Sequence, residues 1–186
     1  MVVNAAGPWA GALASTAGVS LPLTPIPRNV VTTGPFPGVP ERRTLVIDAA
    51  TSFYLHREAD GVLMGMGSPD EGASFDLTPD DAFIAEQIVP TAVRVFPPLE
   101  AAGLRSTWAG LYEMTPDHNA LLGEHPDLPG FVVAAGFSGH GLMMAPATGL
   151  AIAELISDGL CTTFDIAPLA VDRFARGQPF LDGALV

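Results

Sequence analysis

The chain has 186 residues, 48% of them hydrophobic, a mean hydropathy of +0.37 and a formal charge of −12, with arginine supplying all eight basic side chains. This balance excludes a basic surface for nucleic acid or an anionic membrane, and no apolar run approaches the ~20 residues of a membrane span. The lone Cys161 excludes an internal disulfide and, with no basic cleavable leader, leads us to expect a cytoplasmic protein of one or two domains.

In chain order, Met1-Val2-Val3 reads as the middle of a strand, and Asn4-Ala5-Ala6-Gly7 turns it into a helix-like Pro8 to Gly18. A parallel strand in that position needs neighbours to pair with. Leu21 to Pro40 is proline-rich and stiff. Thr44 to Ala49, Ser52 to Arg57 and Val62 to Gly67 are short strands separated by turn residues such as Asp60-Gly61, which suggests an antiparallel meander. Pro79 to Phe96 has helical spacing, with Asp80 and Asp81 suited to the first turn and Pro90 expected to kink or split it. Glu71, Asp76, Asp80, Asp81 and Glu86 read as a solvated acidic face. Gly103 to Met114 returns as a strand, Ala120 to Gly123 as a short extended piece, and Asp165 to Arg176 as a final short helix with Val171 and Phe174 turned inward.

The stretch Phe131 to Ile156 organises the rest. Phe131 to Ala135 is an apolar run of strand length. Gly136-Phe137-Ser138-Gly139-His140-Gly141 is a glycine-dense turn, and Ala145 to Ile156 has the alanine and leucine content of a buried helix, with Pro146 expected in its first turn. Strand, glycine turn and helix can cradle a cofactor, because glycine admits close backbone approach and a helix start offers unpaired N–H groups. The same pattern also serves as a tight connection with no ligand, and spacing alone leaves both readings open. The turn is G-x-x-G-x-G, and no G-x-G-x-x-G occurs anywhere. Ser138 is no hydrolase nucleophile, since His140 stands where a nucleophile elbow needs its last glycine.

GFSGHG after VVAAG resembles the C-terminal flavin motif of the FAD-dependent D-amino-acid oxidase superfamily, in particular sarcosine and glycine oxidase-like proteins and sarcosine oxidase beta subunits. Val2 to Ala10 resembles the strand and turn that end the first FAD-domain segment, and Trp108 to Asn119 the strand leading to the flavin. The resemblance implies an α+β fold: residues 1–20 a remnant of an α/β FAD-binding domain, 21–115 a substrate domain with a mostly antiparallel sheet and helices, and 116–186 a return to the FAD domain. A strand around Ile26 to Thr33 follows from it too. Because the dinucleotide turn is missing, the expectation is the C-terminal portion of a longer enzyme, completed by a missing N-terminal segment or a second chain.

The resemblance implies non-covalent FAD held by Gly7, Trp9, Gly136, Ser138, Gly139, His140, Gly141 and Leu142, and a small-molecule amine or amino-acid substrate met by Phe53, Tyr54, His56 and Tyr112. For Trp9 the competing role is a packed staple of the turn; for His140 it is a place in the turn; for the aromatics it is core packing. Glycine oxidase-like relatives carry a carboxylate-clamping arginine where Tyr112 stands, so Arg57 or Arg105 would have to replace it. The cysteine that monomeric sarcosine oxidases bond to flavin matches Gly110, and the lysine they use toward oxygen matches Met143. An electron acceptor other than oxygen follows as an expectation. No catalytic residue is assigned, and Asp117, His118 and His125 lack metal-ligand spacing, so no metal is expected. The alternative to an enzyme is a non-catalytic fragment or subunit that binds FAD only with a partner chain.

Overall fold

The computed structural model describes residues 1–68 and 72–180; Glu71, assigned above to the acidic face, lies outside the described residues. The chain divides into two compact units, one made of Met1–Pro25 with the described residues from Tyr112 onward, the other of Ile26–Leu111.

The first unit holds a three-stranded sheet in the order β1-β8-β7. β8 (Phe131–Ala135) pairs in parallel with β1 (Val2–Asn4) and antiparallel with β7 (Leu121–Glu124). Every residue of β8 is buried, as expected of a strand covered on both faces. The strand period of two sorts its side chains. Phe131, Val133 and Ala135 join Ala10, Ala14 and Leu21 from around α1 (Ala10–Thr16). Val132 and Ala134 join Leu122 and Ile152, the latter from the long helix that follows β8.

The second unit is a five-stranded sheet ordered β3-β4-β5-β2-β6, built from β2 (Thr24–Thr33), β3 (Val46–Asp48), β4 (Phe53–Glu58), β5 (Gly61–Met66) and β6 (Leu104–Met114). β3, β4, β5 and β2 pair antiparallel in turn, so the expected meander forms. Its core gathers Val31, Phe53, Leu55, Val62 and Met64 under Ile84, Ile88 and Ala92, three helical positions spaced four apart.

That helical run starts at α2 (Asp81–Phe83), where the Asp80 carboxylate accepts a hydrogen bond from the Phe83 N–H at 2.9 Å. It continues through a π turn (Ile84–Ile88) into α3 (Val89–Val95). Pro90 stands where the run changes from the π turn to α3, so the expected break takes the form of a change of helix type, with the Val89 N–H reaching back five residues to the Ile84 carbonyl.

Two further expectations change. The helix after the glycine turn, α4 (Gly141–Asp158), begins four residues early, so Pro146 sits inside it rather than in its first turn. The segment from Asp165 to Arg176 is not an α-helix but a 3-10 turn (Ala167–Leu169) followed by further turns. Val171 and Phe174 do face the core, but the conformation serves Arg173, which is 1% exposed and bound by groups distant in sequence.

Candidate functional site

At the C-terminal ends of parallel β1 and β8, two turns and the end of β6 come together within the first unit, the edge at which open α/β sheets take their ligands. In the turn after β8, Gly136, Ser138 and Gly139 have φ of +81°, +51° and +91°. Ser138 is fully buried in this left-handed conformation; its N–H donates to the Glu113 carbonyl at 3.2 Å and its hydroxyl to the Gly136 carbonyl at 3.3 Å. The two glycines are demanded by the chain's own packing. A Cβ on Gly136 would meet Thr115 Cγ2 at 2.5 Å, and one on Gly139 would meet the Tyr112 ring at 2.5 Å from Cζ. Tyr112 therefore lies against the turn assigned to the cofactor.

His140 precedes α4 without a side-chain hydrogen bond to it, although its N–H donates to the Phe137 carbonyl at 2.9 Å. The turn role weighed for His140 is thus present. The first N–H groups of an 18-residue helix have no intrahelical acceptor and carry partial positive charge. Beside them Leu142 and Met143 are 93% and 71% exposed.

On the other side, Gly7 opens the turn after β1 with φ +56°. The turn is held by the buried Asn4, whose amide donates to the Ala10 carbonyl at 2.9 Å and whose side-chain oxygen accepts from the Ala6 N–H at 3.3 Å. Trp9, weighed as a packed staple, is 53% exposed, and the buried side chain tying this turn is Asn4.

Glu113 sits between the two turns, and sequence reasoning gave it no role. Its Oε1 accepts the Phe137 N–H at 3.2 Å. Its Oε2 is buried, accepts no hydrogen bond among the described residues, and lies 3.2 Å from where a Cβ on Gly7 would be. Burial pushes its carboxyl above the usual range, against the N–H groups of Phe137 and Gly136, which pull it down. The signal in the sequence was a glutamate inside an otherwise apolar strand end, Leu111-Tyr112-Glu113-Met114.

Asp117, four residues on, is fully engaged. It accepts from Arg173 through both oxygens at 2.7 and 2.8 Å, from the Phe180 N–H at 2.8 Å, and from the Asn119 N–H at 3.1 Å. Burial is the largest single influence and would raise its pKa, but the guanidinium and the N–H donors together outweigh it and hold the carboxyl at about 2. Asp117 is a clasp for the C-terminal segment. Among the described residues no His, Cys, Asp and Glu group could hold a metal, and no helix is long and apolar enough to cross a membrane.

Phe53, Tyr54 and His56 lie on β4 in the second unit. Phe53 is fully buried in the core, so of its two weighed roles the surroundings provide packing. Tyr54 lies over Gly65 of the neighbouring strand, and the His56 Nδ1 is 2.8 Å from the Arg57 carbonyl. Neither arginine weighed as a carboxylate anchor is spare. Arg57 donates to the Pro40, Glu41 and Ala59 carbonyls, and Arg105 makes a bidentate pair with Asp60 at 2.7 and 3.0 Å. A side chain at Gly110 would meet nothing within 4 Å, so packing does not require glycine there.

A family profile described as "DAO: FAD dependent oxidoreductase" matches residues 1–155. The bovine (Bos taurus) "FAD-dependent oxidoreductase domain-containing protein 1" is 34% identical over 96% of this chain and 40% of its own length. Human (Homo sapiens) mitochondrial sarcosine dehydrogenase is 33% identical over 85% of this chain and 18% of its own. Among solved structures, L-proline dehydrogenase from P.horikoshii superimposes with a TM-score of 0.87 at 35% identity, covering 96% of this chain and 48% of that one. The chain thus spans less than half the length of these relatives.

Proposed function

We propose, for a chain that belongs to the DAO family of FAD-dependent oxidoreductases, that the turn after β8 and the start of α4 form part of the flavin site of an enzyme that oxidises the C–N bond of an amine or amino acid. The observation that carries this reading is the anchoring of that turn on Glu113 opposite the Gly7 turn, at the carboxyl ends of β1 and β8. Bound FAD would take a hydride from the carbon next to the substrate nitrogen, leaving an imine for water to hydrolyse. The residues present fit such a group: the α4 N-terminus supplies positive potential, and the bare Glu113 oxygen awaits a donor.

The N–H groups of Gly141, Leu142 and Met143, without intrahelical acceptors at the start of α4, would stabilise the negative charge that reduction builds on a bound flavin and so favour hydride acceptance. Tyr112, packed against Gly139, would bring a neutral ring and hydroxyl, not a charge, to the substrate side. With Arg57 and Arg105 committed to other partners, recognition shifts from a carboxylate clamp toward the amine end. Secondary amino acids suit this site, a reading supported by the names of the sarcosine and proline dehydrogenases it resembles. Gly110 offers no nucleophile, so a covalent flavin bond at that position is excluded. Met143 gives no cation to stabilise reduced oxygen, which favours a dehydrogenase passing electrons to another carrier.

A second reading, that FAD capture needs a further segment or partner chain, is favoured by β1. It is an edge strand in a parallel pairing, with Val2 54% and Val3 42% exposed. The experiment is a titration of the purified chain with FAD, followed by fluorescence quenching, then anaerobic addition of sarcosine or proline to the complex. Saturable binding and bleaching of the flavin band support the first reading. A folded chain that takes up no FAD overturns it for this polypeptide and leaves the second, tested by adding a chain that carries a G-x-G-x-x-G turn.

A further inference from the structure

Glu113 is a carboxylate that the fold holds in place but does not satisfy. Its Oε1 is fixed by the Phe137 N–H at 3.2 Å, and its backbone carbonyl by the Ser138 N–H at 3.2 Å. Its Oε2 is buried without a hydrogen bond among the described residues. Buried acceptors in native proteins are nearly always paired, so a bare one marks a partner the chain itself does not supply. The neighbouring backbone keeps the position clear. Gly7 stands at φ +56°, and a side chain there would crowd Oε2 at 3.2 Å. The contrast with Asp117, whose oxygens take five side-chain or backbone hydrogen bonds, shows that this segment satisfies a buried carboxylate where the fold alone requires it.

We propose that Glu113 Oε2 accepts a hydrogen bond from a hydroxyl or N–H donor of bound FAD, making Glu113 a cofactor-positioning residue of the site. This rests on the flavin reading above. A donor is the required chemistry, because Oε1 is already an acceptor to Phe137 and an ionised carboxylate accepts only. The ribityl hydroxyls and the ring N3–H are the donors that the flavin half can bring. Such a bond, formed to a charged acceptor away from water, is of the stronger kind.

The test uses the full chain and Glu113→Gln. The amide keeps one oxygen for the Phe137 N–H and replaces the other with a donor that faces the cofactor's own donor. FAD affinity should fall roughly 10- to 100-fold, while the melting temperature of the FAD-free chain stays the same or rises. Glu113→Met, which removes both oxygens, should lose the same affinity and also lower the melting temperature. Methylating the flavin at N3 separates the two donors. A ribityl contact leaves the Gln effect intact with N3-methyl FAD, and an N3–H contact abolishes it.

An unchanged FAD affinity in Glu113→Gln overturns the proposal and assigns Oε2 to an ordered water. In Glu113→Gln, a loss of affinity matched by a lower melting temperature overturns it in favour of a purely structural clasp. A wild-type chain that folds but binds no FAD removes the flavin reading, and this inference falls with it. The two failures are therefore distinguishable.

Discussion

Glu113 and Asp117 lie four residues apart on one segment, both with buried carboxylate oxygens, and the fold treats them oppositely. Asp117 is met by a guanidinium and two N–H donors, and its pKa falls to about 2. Glu113 is met only by the backbone N–H groups of Phe137 and Gly136, keeps a bare Oε2, and its pKa rises. A saturated carboxylate is part of the architecture, whereas one left half-satisfied in a glycine-lined crevice is held ready for something else. The same contrast runs through the arginines: Arg173 is buried as a clasp, while Arg57 and Arg105 serve carbonyls and Asp60 nearer the surface.

The largest effect should come from breaking the saturated side. Arg173→Ala leaves Asp117 buried without its counter-charge and should cost about 3–5 kcal/mol in urea denaturation. A loss under 1 kcal/mol would mean that the pair is screened and the contrast with Glu113 false.

Next comes the turn that both carboxylates flank. Gly139→Ala forces an L residue to φ +91° and drives its methyl into the Tyr112 ring, for roughly 2–4 kcal/mol of destabilisation. Adding Tyr112→Ala should recover the steric part and leave the backbone part. Full recovery would show that strain at Gly139 is negligible.

The pH dependence sharpens the comparison, because the signs differ. The folded pKa of Asp117 is depressed from 3.8 to about 2, so its contribution is present above pH 3.8 and lost as pH falls toward 2. The folded pKa of Glu113 is raised above 4.5, so its contribution is present below 4.5 and lost as pH rises through the folded value. Stability of Glu113→Gln relative to wild type should therefore increase with pH above 4.5, and that of Asp117→Asn should converge on wild type in acid. Parallel curves for the two variants would contradict the assignment.

The smallest effect is a control on glycine itself. Gly149 lies exposed within α4, and a Cβ there meets nothing within 4 Å. Gly149→Ala should stabilise by about 0.5–1 kcal/mol. A loss would show that this helix face is covered by something the chain does not contain.

The apolar run of β8, the short strands β4 and β5 split at Asp60-Gly61, the acidic start of the helix near Asp80 and the glycine turn were legible because each is a local pattern with a local cause: period, propensity or positive φ. The family was legible for a similar reason, since its motifs are contiguous. Even so, local pattern misplaced Pro146 by starting α4 late, and it could not foresee that the break at Pro90 would take the form of a change from a π turn to α3.

What only the tertiary structure decided were the pairings across long separations. Nothing near Arg173 announces a partner 56 residues away, and so a segment read as a helix became a set of turns around a buried cation. Nothing near Gly139 says that the absent side chain makes room for Tyr112. Glu113 lies inside the Trp108 to Asn119 motif without a role that the motif shows, because a carboxylate's meaning lies in which donors reach it, and donors from other segments are assigned by packing.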